Sequence, residues 1–156
     1  MSVLHWISGR SRAQALLWFT VAVPLFVSLA GLAIDGGILL SSRRQLQSVA
    51  DGAARAGATR LDMARLRASG GTDVQLDTPL ANQTAHTYIN NALSDTAAGW
   101  SGPPDQSVES GPRRVHVWIR ATLQTAFLRI VHIDAVPVEA SAFADVEYGI
   151  HDGGGG

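Results

Sequence analysis

The sequence predicts an α+β protein: a long N-terminal transmembrane helix continuing into a small domain with a second helix and an antiparallel β-sheet. Three observations predict it. Leu16 to Ile34 is a nineteen-residue run without a charged side chain. Small and apolar residues then recur at helical spacing beyond that run. Near the C-terminus two stretches alternate apolar and polar residues with the period of half-buried strands.

At about 1.5 Å per residue the run LLWFTVAVPLFVSLAGLAI is long enough for the roughly 30 Å hydrocarbon layer of a bilayer. A cleaved signal peptide, with Ser28-Leu29-Ala30 as the processing site, is the competing reading, although its apolar region is usually shorter, about 7 to 15 residues. Pro24 removes one backbone hydrogen bond inside the run, which membrane helices tolerate when local adjustment satisfies the freed carbonyl. Arg10 and Arg12 before the run balance Arg43 and Arg44 after it, so charge alone leaves the orientation open.

The helix is expected to extend from about Ala13 to Leu66, with Leu46, Val49, Ala50, Ala53, Gly57 and Leu61 facing inward and a weak point at Gly36-Gly37. Its small inner residues let another element approach the backbone closely. A second helix begins with Thr78 as N-cap and Pro79 in the first turn, carries a buried stripe of Ala81, Ala85, Tyr88, Ile89 and Ala92, and stops by Gly99. SGPPDQSVESGP reads as an irregular loop.

Val115, Val117, Ile119, Ala121 and Leu123 mark the buried face of one strand, and Val136, Val138, Ala140, Ala142, Ala144, Val146 and Tyr148 that of another. Pro137 places the start of the second strand at an edge. The apolar cluster Phe127, Leu128, Ile130 and Val131 between them is expected to turn the chain and cap the core. On the outer faces Arg120 stands against Glu139, Asp145 and Glu147, beside two large aromatics, Trp118 and Phe143. These two are candidates for a partner surface, with cross-strand packing the plainer reading.

Composition narrows the function. The formal net charge is −1, without a basic run that would grip nucleic acid. Cysteine is absent, which removes thiolate chemistry and cysteine-based metal sites. His5, His86, His116, His132 and His151 are scattered, and no phosphate loop, nucleophile elbow or dinucleotide fingerprint occurs. The expectation is a protein that is not an enzyme, holds no metal or cofactor and has no small-molecule substrate.

The stripe Ala33, Gly37 and Ser41, at four-residue spacing on the membrane exit, is the type of surface through which helices associate in lipid. Asp35 ends the apolar run, where a carboxylate is costly unless it reaches headgroup water or finds a partner. It is read either as the exit of the helix into solvent or as a contact to a partner subunit.

The stretch from Arg12 to Ala58 resembles the N-terminal region of TadE/TadG-like proteins, which assemble the Flp pilus of tight-adherence (Tad) secretion systems. The resemblance rests on the apolar span with internal Pro24, Ala33-Ile34-Asp35-Gly36 at the exit, Arg44-Gln45-Leu46-Gln47, and the alanine-rich helix from Asp51 to Ala58. A strand, the Phe127-Leu128 turn and the stretch from Ile133 to Val146 are similar to the C-terminal part of the family. The resemblance implies a cytoplasmic tail over 1–12, a transmembrane helix over 13–40 and an extracytoplasmic pilin-like domain over 41–150, after which the run Gly153 to Gly156 reads as part of a flexible tail over 151–156. It implies an inner-membrane protein with its N-terminus inside, a minor pilin-like or assembly component whose partners are other Tad proteins, pilin subunits and the bilayer. The chain carries Trp18 where processed pilins of this system resemble one another in a glutamate, which makes Gly9 a poor cleavage site and favours an unprocessed, TadG-like anchor without the large adhesive domain of full TadG proteins. A recognition module exported and released by signal peptidase, using Trp118 and Phe143 as contacts, is the alternative.

Overall fold

A computed structural model describes residues 7–94 and 99–146. The elements in order are α1 (Ile7–Ala58), α2 (Met63–Ala68), α3 (Thr78–Ser94), β1 (Asp105–Ser110), β2 (Arg114–Gln124), a 3₁₀ turn (Leu128–Val131) and β3 (Ala135–Asp145). Glu147, Tyr148 and the expected tail over 151–156 lie outside the described residues, as does the first half, 1–6, of the tail expected over 1–12. The chain divides into two compact units, one from residues 1–38 and 125–134, the other from 39–124 and 135–156.

α1 runs without a break through Gly36-Gly37, where a weak point was expected. A helix pays about 1 kcal/mol for each glycine relative to alanine, too little to interrupt fifty-two residues of otherwise helical sequence. It ends at Ala58, eight residues before the expected Leu66, because Arg60 N–H turns back to the Gly57 carbonyl and Leu61 leaves to bridge Leu76. Asp62 then starts α2 by accepting the Arg65 N–H at 3.0 Å. The cap of α3 is also one residue earlier than expected: Asp77, not Thr78, accepts the Leu80 N–H, at 3.2 Å.

In the second unit the three strands form an antiparallel sheet in the order β1-β2-β3. The segment expected to be an irregular loop contains β1, whose six residues pair with Val115–Arg120. Val108 is the one large apolar residue in DQSVES, so alternation gave no signal and pairing to β2 decides its conformation. The core joins Leu46, Val49, Ala50, Ala53 and Ala54 of α1, Ala81, Ala85 and Ile89 of α3, and the inward residues of β2 and β3. The alternation read from both later strands holds, with Val115, Val117, Ile119, Ala121, Leu123, Val138, Ala140 and Ala142 buried.

Small residues bring the helices and sheet together. Gly57 is buried, and a Cβ there would lie 3.1 Å from the Ala81 carbonyl oxygen and 3.2 Å from Val115 Cγ1. Tyr88, expected in the buried stripe, is partly exposed because its ring lies along α1 with the phenol against Gly52.

Candidate functional site

In the first unit, the apolar residues of α1 from Leu16 to Ile34 face outward, with Trp18, Phe19 and Phe26 each about 70% exposed. Gly31 and Asp35 are buried. They lie one helical turn apart, so both project to one side of α1, and both are covered by the 125–134 segment.

Asp35 is 2% exposed. Its Oδ1 accepts the Ala126 N–H at 3.1 Å, and its Oδ2 accepts those of Phe127 at 2.9 Å and Leu128 at 2.7 Å. These are donors at the start of the 3₁₀ turn, the groups that a helix start leaves without internal partners. The carboxylate therefore works as an N-cap supplied from elsewhere in the chain. Asp35 therefore does not open to solvent, and its two carboxylate oxygens are taken up by backbone donors of its own chain. Its cost of burial is offset by three charge-assisted hydrogen bonds.

Gly31 makes the approach possible. A Cβ there would sit 2.5 Å from the Cγ and Cδ1 atoms of Phe127, so only glycine admits the ring. The cluster expected to cap the core instead closes on this pair. Thr125 N–H donates to the Asp134 carbonyl at 3.1 Å, the Thr125 hydroxyl to the Ile133 carbonyl, and Ile133 N–H to the Leu128 carbonyl at 3.1 Å, which tie the segment into a loop. His132 holds a left-handed conformation (φ 65°) at the end of the turn.

Ala33, Gly37 and Ser41 are exposed. Asp35, about 200° around the helix from Ala33, does not share their stripe. A Cβ at Gly37 would meet nothing within 4 Å, which leaves that stripe open to a close neighbour.

In the second unit, Trp118 and Phe143 are on the face of the sheet opposite the core. Trp118 pairs with Ser141 and His116 with Phe143 across β2 and β3, which makes the two aromatics diagonal neighbours. Phe143 is 65% exposed and Trp118 is 38% exposed, its ring against that of His116. Around them Arg120 meets Glu139 at 2.6 Å, and Arg114 grips Asp145 at 2.5 and 3.0 Å while its guanidinium carbon lies 5.0 Å from the centre of the Phe143 ring. Asp145 was expected opposite Arg120, but the register sets it beside Arg114. The Arg114 hydrogen bonds hold the Asp145 carboxyl below the ordinary carboxylate range and raise the guanidinium. Among the described residues no three His, Cys, Asp or Glu side chains are grouped so that they could hold a metal ion.

The residues of α1 thus sort into an outward apolar surface, a small-residue stripe and, from Leu46 onward, a core-facing series. Residues 13–60 match the family model described as putative Flp pilus-assembly TadE/G-like. The match takes in just under a third of the chain and nearly all of α1. No curated protein and no solved structure matches the chain. The TadE/G-like segment contains Gly31 and Asp35, whereas the turn they hold lies outside it. Gly31 was not singled out in the sequence, although its place four residues before Asp35 puts it on the same helix face.

Proposed function

We propose that the protein is a membrane-anchored structural or assembly component of a Tad/Flp pilus, minor pilin-like, with its N-terminus in the cytoplasm and residues 41–150 outside. One observation carries the reading: the TadE/G-like segment is a single helix that leaves its apolar residues uncovered over a bilayer-length run and becomes the core helix of a small α+β unit from Leu46. An uncovered apolar surface of that length favours lipid, at about 25 cal/mol per Å².

On this reading α1 anchors the chain, the Ala33, Gly37 and Ser41 stripe meets a neighbouring span, and the Trp118 and Phe143 face meets a pilus component outside the membrane. The protein acts by holding other subunits, not by turning over a substrate. The test is fractionation together with co-purification. The full-length protein is expected in carbonate-resistant membranes, protected from cytoplasmic protease, and recovered with Tad proteins after crosslinking. Release of a soluble form whose N-terminus lies near Gly31 would replace this reading with that of an exported module.

A further inference from the structure

We infer that the 126–133 turn is a second membrane-contacting element, a wedge seated at the outer boundary of the bilayer beside α1. The inference rests on the reading of α1 as a membrane span and adds to it a segment remote in sequence.

Position is the first argument. Phe127 closes on Gly31, which lies inside the apolar run, and the turn is capped by Asp35, the first charged residue after it. A segment in contact with both is at the depth where the span leaves hydrocarbon. On α1 itself Leu32 and Ile34, the sequence neighbours of Gly31 and Asp35, are exposed apolar residues.

Composition is the second. Ile130 is 76% exposed, more than any of the exposed large hydrophobic residues of α1, and Ile133 is exposed as well. Water would leave these side chains uncompensated, whereas the acyl boundary removes them from it. Arg129, whose long side chain can reach out among headgroups, is exposed and meets the exposed Asp134 at 3.8 Å.

Backbone chemistry is the third. Irregular backbone enters lipid only when its polar groups are satisfied within the protein. Here the Ala126, Phe127 and Leu128 N–H groups are held by Asp35, and those of Thr125, Ile130, His132 and Ile133 by carbonyls of the same loop.

Because the chain has no cysteine, single labels test the wedge in the full-length protein. Ile130→Cys, Val27→Cys and Ser107→Cys variants carry an environment-sensitive fluorophore in phosphatidylethanolamine/phosphatidylglycerol vesicles, with and without doxyl-labelled lipid. The expected result is blue-shifted emission at 27 and 130 that doxyl lipid quenches, with quenching at 130 strongest for doxyl groups close to the headgroup, and unquenched aqueous emission at 107. Aqueous emission at 130 with lipid quenching at 27 overturns the wedge and leaves the anchor standing. Blue-shifted emission at 130 that no doxyl lipid quenches places the turn against protein and also overturns it. Aqueous emission at 27 removes the anchor, and the wedge with it.

Discussion

Asp35 Oδ2 and the Phe127 backbone nitrogen are 2.9 Å apart across ninety-two residues of sequence. That bond joins the exit of the apolar helix to the connection between β2 and β3, and it is one of three made by a single carboxylate. Asparagine keeps the shape but presents one acceptor oxygen and an amide that must face a backbone donor. Asp35→Asn is therefore expected to leave donors at 126–128 unsatisfied, at about 1 to 3 kcal/mol for each. Hydrogen exchange in detergent should quicken at Ala126, Phe127 and Leu128 while the buried β2 amides stay protected. Unchanged exchange at those three amides would mean that the carboxylate does not hold the turn.

The glycines of α1 separate into two kinds. At Gly57 a side chain would press on the Ala81 carbonyl and on Val115, so Gly57→Leu is expected to destabilise the second unit by about 1 to 3 kcal/mol, read as a lower melting temperature. At Gly37 a side chain meets open space. Gly37→Leu should leave folding and membrane insertion as they are and lower the recovery of Tad partners, because bulk there keeps a neighbouring helix away. Full partner recovery with Gly37→Leu would remove the Ala33, Gly37 and Ser41 stripe from the account.

The Arg114–Asp145 pair predicts a pH dependence. Hydrogen bonds from Arg114 lower the Asp145 pKa in the folded state, so the ionised pair contributes fully above the unfolded value of about 3.9 and is lost as pH falls through the lower folded value. Both side chains are well exposed, which keeps the contribution small. The melting-temperature advantage of the wild type over Asp145→Asn should be present near pH 7 and fade below about pH 4. A difference that holds at acid pH would show that the ion pair is not its source.

Much of this architecture was legible because periodicity records burial. The apolar run, the inward series from Leu46 to Gly57 and the alternation in β2 and β3 each follow from a face that must leave water. β1 was not legible, since DQSVES has no apolar alternation and owes its conformation to its neighbour. The Asp77 cap was hidden by the adjoining Thr78-Pro79, which satisfies the same sequence pattern. Asp35 was recognisable as a costly residue, but its partners are backbone groups, which no side-chain pattern announces, and its tie to 126–128 is a long-range contact. Trp118 and Phe143 could be assigned to outer faces, whereas their adjacency depends on the β2–β3 register.

That adjacency yields the final prediction. Trp118 and Phe143 form a diagonal pair on the sheet face opposite the core, within a border made by Arg114, Arg120, Glu139 and Asp145. An aromatic centre with a charged rim is the arrangement in which a few side chains dominate the affinity of an interface. Phe143 is the more exposed, with the Arg114 guanidinium over its ring, so Phe143→Ala should cost little stability. Trp118 also packs on His116, and its truncation will remove some cross-strand stabilisation as well. If this face binds a pilus component, Phe143→Ala should lower co-purification at least about tenfold, as loss of an interface anchor worth more than about 1.4 kcal/mol would, with the melting temperature nearly unchanged. Trp118→Phe, which keeps an aromatic against His116, should retain more binding than Trp118→Ala. A melting temperature that falls in Phe143→Ala while partner recovery holds would show that the pair serves the sheet alone.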